Sequence, residues 1–253
     1  MFIAAWNEKS KAFRAAFVTL QWAYVIVVLT AFTSALLGIG QALGWHPVRQ
    51  LYVYPPGFFY NQLVQGEVLA LAIIICLMYR YWIFIPIMLV ALLLTHSRGA
   101  VVALAFGILA YYVRKPLILL VVVLALALFF TIDPSPSDIR RLQIWHAAWT
   151  HLTFYGHGWG SFDNLWMGSP AWHPEYVHND YLQLVFEFGF QSVVIFFVLF
   201  YAALQTKSDS WPLLITFLFM ATYSMPMHAP FVALIGLLAL AQTIGPTRCV
   251  HFA

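Results

Sequence analysis

The chain has 253 residues, of which 63% are hydrophobic, 18% aromatic and only 8% charged, with a formal net charge of +3 and a mean hydropathy of +0.84. Soluble domains carry about 25% charged residues, so this composition argues against a soluble enzyme or a nucleic-acid-binding module and predicts an integral membrane protein. The two cysteines, Cys76 and Cys249, make no CxxC pair and no disulfide framework.

The apolar runs are continuous rather than alternating, which predicts helices and not a membrane barrel. In chain order they predict eight spans, near 15–40, 63–79, 81–95, 99–113, 116–132, 182–205, 211–225 and 229–245. A bilayer asks for about 20 residues per helix, and several of these runs are somewhat shorter. The first is too long for a signal-peptide core and no A-x-A site follows it, so it reads as a retained span. Only Tyr79-Arg80-Tyr81-Trp82 divides the second from the third. The expected fold is an all-α polytopic membrane protein, a single membrane domain over 1–253. One large extracytoplasmic loop, about 133–180, joins spans five and six.

With the N-terminus inside, Lys9, Lys11, Arg14, Arg80, Arg114, Lys115, Lys207 and Arg248 fall on the inner side. Arg49, Arg98, Arg140 and Arg141 fall outside, a split of eight to four that obeys the positive-inside rule. The C-terminus is then also inside, and eight of the nine histidines lie at or near the outer face. Polar chemistry is therefore expected on the extracytoplasmic side.

Three outer segments look like parts of a site. At the end of span three, Thr95-His96-Ser97-Arg98 offers Ser97 as a helix cap and puts Arg98 in the first turn of span four, where its planar donor fork suits phosphate. The large loop opens with Pro134-Ser135-Pro136-Ser137-Asp138, and Ile139, Leu142, Trp145 and Trp149 then recur at helical spacing. That pattern predicts an amphipathic helix in the headgroup plane, with Arg141 four residues before Trp145 and Arg140 beside it. Gly156-His157-Gly158-Trp159-Gly160 follows, and its alternate glycines imply a tight turn or a close backbone approach.

The third segment is His178-Asn179-Asp180-Tyr181-Leu182-Gln183, which leads through Glu187 to Gly189. A helix starting there would align Asn179, Asp180, Gln183 and Glu187 on one polar stripe. Asp180 with Gln183 reads as a capping-box variant. His178 would stand just outside the first turn, where unpaired amides and the helix dipole favour an anion. Glu187 entering a membrane span is a functional candidate by default. A plain loop histidine and a snorkelling arginine are the bland alternatives for His178 and Arg98. The loop tryptophans are most simply interface-belt residues.

In order, Thr95-x-Ser97-Arg98-Gly99, Arg141-Leu142-Gln143-Ile144-Trp145, Gly156-x-Gly158-x-Gly160-x-Phe162 and His178-Asn179 with Gly189 resemble the O-antigen ligase and polymerase superfamily. Gly57-Phe58-Phe59-Tyr60-Asn61-Gln62 resembles an earlier segment of that family, and the likeness covers about Pro56 to Leu240. Family members commonly have ten or more spans, and the ligase pattern's position three residues after Gly189 is Ser192 here. The resemblance implies a polyprenyl-pyrophosphate-linked glycan as donor, with lipid A-core, a growing glycan or a protein hydroxyl as acceptor. It places the chain in the bacterial cytoplasmic membrane with a periplasmic site. It also implies Arg98 and Arg141, with Arg140 beside them, on the pyrophosphate, and His178 as base, without metal or other cofactor.

The chemistry is self-consistent apart from the family. Outside the cytoplasmic membrane a donor must carry its own leaving group, and a lipid pyrophosphate does; fixed cations and a helix N-terminus stabilise its departure. The acceptor hydroxyl must lose a proton, which suits a histidine. Two readings of other classes stand beside this one: a transporter of a lipid-linked anion, and a non-catalytic relative that binds carrier and modulates a complete enzyme.

Overall fold

A computed structural model of the chain describes residues 2–45, 55–59, 61–112, 136–162, 178–194, 198, 201, 210–224, 226–227 and 229–244. The predicted fifth span, the second half of the outer loop with Trp166, Trp172 and His173, and the basic residues Arg49, Arg114, Lys115, Lys207 and Arg248 lie outside them. The described helices are α1 (Phe2–Ala42), α2 (Gln62–Tyr79), α3 (Ile85–Leu94), α4 (Arg98–Tyr112), α5 (Pro136–Thr150), α6 (Asp180–Phe188), α7 (Trp211–Tyr223) and α8 (Pro230–Ile244), with a 3-10 turn at Trp82–Phe84. No strand occurs among the described residues. Among the described residues two stretches are long and apolar enough to cross a membrane, Thr19–Ala42 within α1 and Gln62–Tyr79. The other apolar helices are of 10–17 residues, short of the ~20 that a bilayer asks for.

The backbone divides into two compact units, 1–97 and 98–253. In the first, α1, α2 and α3 pack on one another. Asn61 starts α2, its side chain accepting from the Leu63 amide at 2.8 Å. Arg80 stops it in the left-handed conformation (φ 62°), with Tyr81 N–H donating to the Cys76 carbonyl. That turn is the predicted divide between spans two and three. Residues Val64–Leu77 of α2 are all buried, as a helix apolar on every side must be. Ala31 and Ala35 of α1 are fully buried, and Tyr24 meets Tyr79 at 5.6 Å between ring centroids.

A polar node ties the 55–59 turn to this unit. The Ser34 hydroxyl donates to Gln65 Oε1 at 2.7 Å and accepts from the Phe58 amide at 2.8 Å, while Gly57 N–H donates to Gln41 Oε1 at 3.0 Å. Such bonds gain strength in a low-dielectric interior, where an unmet polar group would cost most.

In the second unit α7 packs on α4, α6 and α8. Phe106 of α4 stacks on Phe219 of α7 at 4.2 Å, with Val102, Leu109, Trp211 and Ile215 around them. The apolar runs placed α2, α4, α7 and α8 within two residues of their observed ends. The first helix extends beyond the predicted span, from Phe2, and its membrane-length apolar part is Thr19–Ala42, close to the expected 15–40. One expectation needs correction. Predicted span six is not one helix: α6 ends at Phe188, Gly189 (φ 74°, ψ −167°) breaks it, and helix resumes at 191–194. The break arises because the chain at Gly189 pairs with another loop, as follows.

Candidate functional site

The second unit assembles most of the predicted site residues between Arg141 and Gly189 around α6. Asn179 is its N-cap, extended at φ −159°, with its side-chain oxygen accepting from the Leu182 amide at 3.0 Å. The capping box expected of Asp180 and Gln183 does not form. Asp180 is the first helical residue, and its Oδ2 accepts instead from the Met227 amide at 2.8 Å, fastening the head of α6 to the turn before α8. Gln183 reaches forward rather than back, its amide donating to Glu187 Oε1 at 2.9 Å. The polar stripe is real and turned inward: Asp180, Gln183 and Glu187 are each no more than 3% exposed. Pairing is what lets such groups be buried, because an unpaired one costs several kcal/mol. The Tyr181 hydroxyl adds a bond to the Leu218 carbonyl of α7 at 2.7 Å.

The far end of α6 is closed by the glycine loop. His157 N–H donates to Phe186 O at 3.0 Å, Gly158 N–H to Glu187 O at 2.8 Å and Phe190 N–H to Phe154 O at 3.0 Å. Carbonyls that every helix end leaves unpaired are thereby satisfied. Gly156 and Gly189 cross at this point, both with positive φ. A Cβ on Gly156 would run into the Glu187 carbonyl, and one on Gly189 into that of Phe154. The close backbone approach expected of Gly156-x-Gly158 is thus an approach to Gly189. Gly158 and Gly160 have open space around them. His157 is structural: its ring stacks on Phe186 at 4.5 Å and its Nε2 lies 2.6 Å from the His151 carbonyl.

Helix α5 packs on α6 through Ile144, Ala148, Phe162 and Phe186, flanked by Trp145, Leu152 and Leu182. The amphipathic face expected of Ile139, Leu142, Trp145 and Trp149 divides in consequence. Trp145 turns to the α6 side, while Ile139, Leu142 and Trp149 are exposed. Arg141 belongs to the α6 side and bears on His178. Burial first, and the Arg141 guanidinium second, push the His178 pKa below the ordinary value of 6.5. His178 itself sits at φ 56°, a left-handed conformation that costs a residue with a Cβ about 1–3 kcal/mol. Backbone strain of that kind clusters at functional sites.

The structure therefore gathers Arg141, His178, Asn179, Asp180, Gln183, Glu187 and Gly189 into one local assembly. Arg98 heads α4 and is exposed. Just before it, the Ser97 amide donates to Thr95 Oγ1 at 3.2 Å and the Thr95 hydroxyl to Leu92 O at 2.6 Å. Arg140, next to Arg141, points out of the α5–α6 contact and is exposed. Among the described residues no three of His, Cys, Asp and Glu form a set able to hold a metal ion.

Sequence reasoning passed over the polar interior of the first unit. Glu67 is 3% exposed within α2, and Gln65, Ser34 and Gln41 are buried with it. The signal was present: Glu67 is a carboxylate inside a predicted span, the same argument that singled out Glu187. The chain matches no family model, and no curated protein matches it either.

Proposed function

We propose that this protein transfers a glycan from a polyprenyl-pyrophosphate carrier to an acceptor hydroxyl at the outer face of the bacterial cytoplasmic membrane, as O-antigen ligases do, with inversion and without a metal. The membrane setting takes the eight-span reading with both termini inside. The observation that carries the proposal is the Arg141–His178 relationship: a half-buried imidazole held neutral beside a fixed cation, one residue before an N-capped helix. A neutral imidazole is the form that accepts a proton, and a guanidinium with a helix N-terminus is a setting for a pyrophosphate.

In the proposed step the acceptor oxygen attacks the anomeric carbon while its proton passes to His178. The bond from that carbon to the carrier pyrophosphate breaks, and the leaving group's charge is met by Arg141 and Arg98. Glu187, held by Gln183, positions α6 rather than touching the reacting atoms. The test is transfer with purified protein, a lipid-linked glycan and, in separate reactions, lipid A-core, glycan and protein acceptors. Loss of transfer in His178→Ala and in Arg98→Ala, with membrane insertion intact, is the expected result. Full activity in both variants would refute the assignment.

A further inference from the structure

We infer that α5 and the loop behind it form a docking surface for the outer-leaflet interface of the bilayer, and that Arg140 serves this surface by meeting lipid phosphates. Successive residues of an α-helix are set about 100° apart, which sorts α5 into three sectors. Ile144 and Ala148 mark the sector against α6, with Trp145 at its edge, and Arg141 lies within it. Trp149, Leu142 and Ile139 fall in an arc of about 80° on the other side, and all three are exposed; His146, also exposed, is the one polar residue of α5 between them. Gln143, Thr150 and Arg140 fill the next arc, also exposed. A helix built to face water would not show an apolar sector beyond its packed one. A helix lying in an interface has this arrangement, with its apolar sector sunk in the acyl boundary and its cation level with the headgroups.

Two further observations commit the surface to lipid. Residues 139–162, between Asp138 near the start of α5 and Asp163, contain two arginines, three histidines and six aromatic residues. That is the composition of a membrane-interface belt, where cations meet anionic headgroups. The apolar surface is also continuous with a lipid-facing one. Beyond α5 the chain exposes Phe154 and Tyr155, and Phe154 stacks on Phe190 at 6.1 Å. Phe190 is exposed, and so are Val194, Val198 and Tyr201 beyond it, residues of the apolar stretch that the sequence reads as span six. Interface docking would hold α5 at a fixed depth while its opposite sector presents Arg141 to His178. The two adjacent arginines would then have separate duties, Arg140 on lipid and Arg141 on the site.

The test needs the chain in a membrane but no catalysis, so its outcome is independent of glycan transfer. Cys76 is buried and stays; Cys249→Ser provides the background. Single cysteines at Leu142, Trp149, Gln143, Val194 and Val198 are spin-labelled in the full chain in phosphatidylcholine nanodiscs. Collision with oxygen reports lipid, and collision with a water-soluble nickel complex reports solvent. Labels at 142 and 149 are expected to favour oxygen severalfold, as those at 194 and 198 do, with 143 reversed. Labels at 142 and 149 favouring nickel would overturn the proposal and point to a glycan or protein partner in water. Labels there shielded from both reagents would also overturn it, by showing a protein-covered face. In nanodiscs containing phosphatidylglycerol, Arg140→Gln is expected to shift the 142 label's depth. An unchanged depth would remove the headgroup role.

Discussion

His178 and Arg141 lie 37 residues apart in the chain and meet electrostatically: burial and then the Arg141 guanidinium push the imidazole below the usual histidine pKa. The α5–α6 contact makes this possible, because Ile144, Ala148 and Phe186 lock the two helices together. The neutral form of the imidazole is thereby favoured, which is the form the proposed transfer asks of a base, beside the cation that the proposal assigns to the pyrophosphate.

The first consequence is a pH dependence. Transfer is expected to be full at neutral pH and to fall on an acid limb below pH 6.5, where His178 becomes protonated. Arg141→Gln removes one of the two causes of the lowered pKa, so that limb should move to higher pH. An acid limb unchanged in Arg141→Gln would break the link between the two residues.

The same shift touches stability. A histidine whose folded pKa is lowered favours the fold above its unfolded value and loses that contribution as pH falls through the folded one. Unfolding in detergent should therefore become easier below pH 6.5, and less steeply so in His178→Gln. Thermal scans at several pH values measure it.

Removing the proposed base is expected to lower transfer by about 10²–10⁴-fold, the usual contribution of general acid–base catalysis. Circular dichroism and membrane insertion of His178→Gln should match the parent. Equal transfer rates would leave His178 a loop residue.

Gly189→Ala should destabilise the second unit by at least about 1–3 kcal/mol, because a Cβ at positive φ is strained and this one meets the Phe154 carbonyl. Asn179→Ala, which loses only the cap to Leu182, should cost about 1 kcal/mol. Chemical denaturation of both variants tests the ranking, and a Gly189→Ala protein as stable as Asn179→Ala would show that the crossing is loose.

Orientation is open to direct measurement. A cysteine replacing Arg140 should react with a membrane-impermeant maleimide from the periplasmic side of spheroplasts. One replacing Lys11 should react only after lysis. The reverse pattern would invert the proposed topology.

The sequence alone anticipated an all-helical chain and most of its helix ends, because apolar runs and their Gly, Asn and Arg punctuation act locally. Asn179 before an apolar run marks a helix start in any context, and Tyr79-Arg80-Tyr81 marks a stop. The partners across the chain were not legible there. That Gly156 meets Gly189, that Asp180 holds Met227 instead of capping its own helix, and that Arg141, which its spacing to Trp145 had singled out, bears on His178 depend on contacts between distant segments. Side-chain spacing cannot fix those, since a helix rotates its faces to suit whatever packs against it. The packing of α5 on α6 settled which arginine turns inward, and the glycine crossing interrupted a helix that composition would have continued.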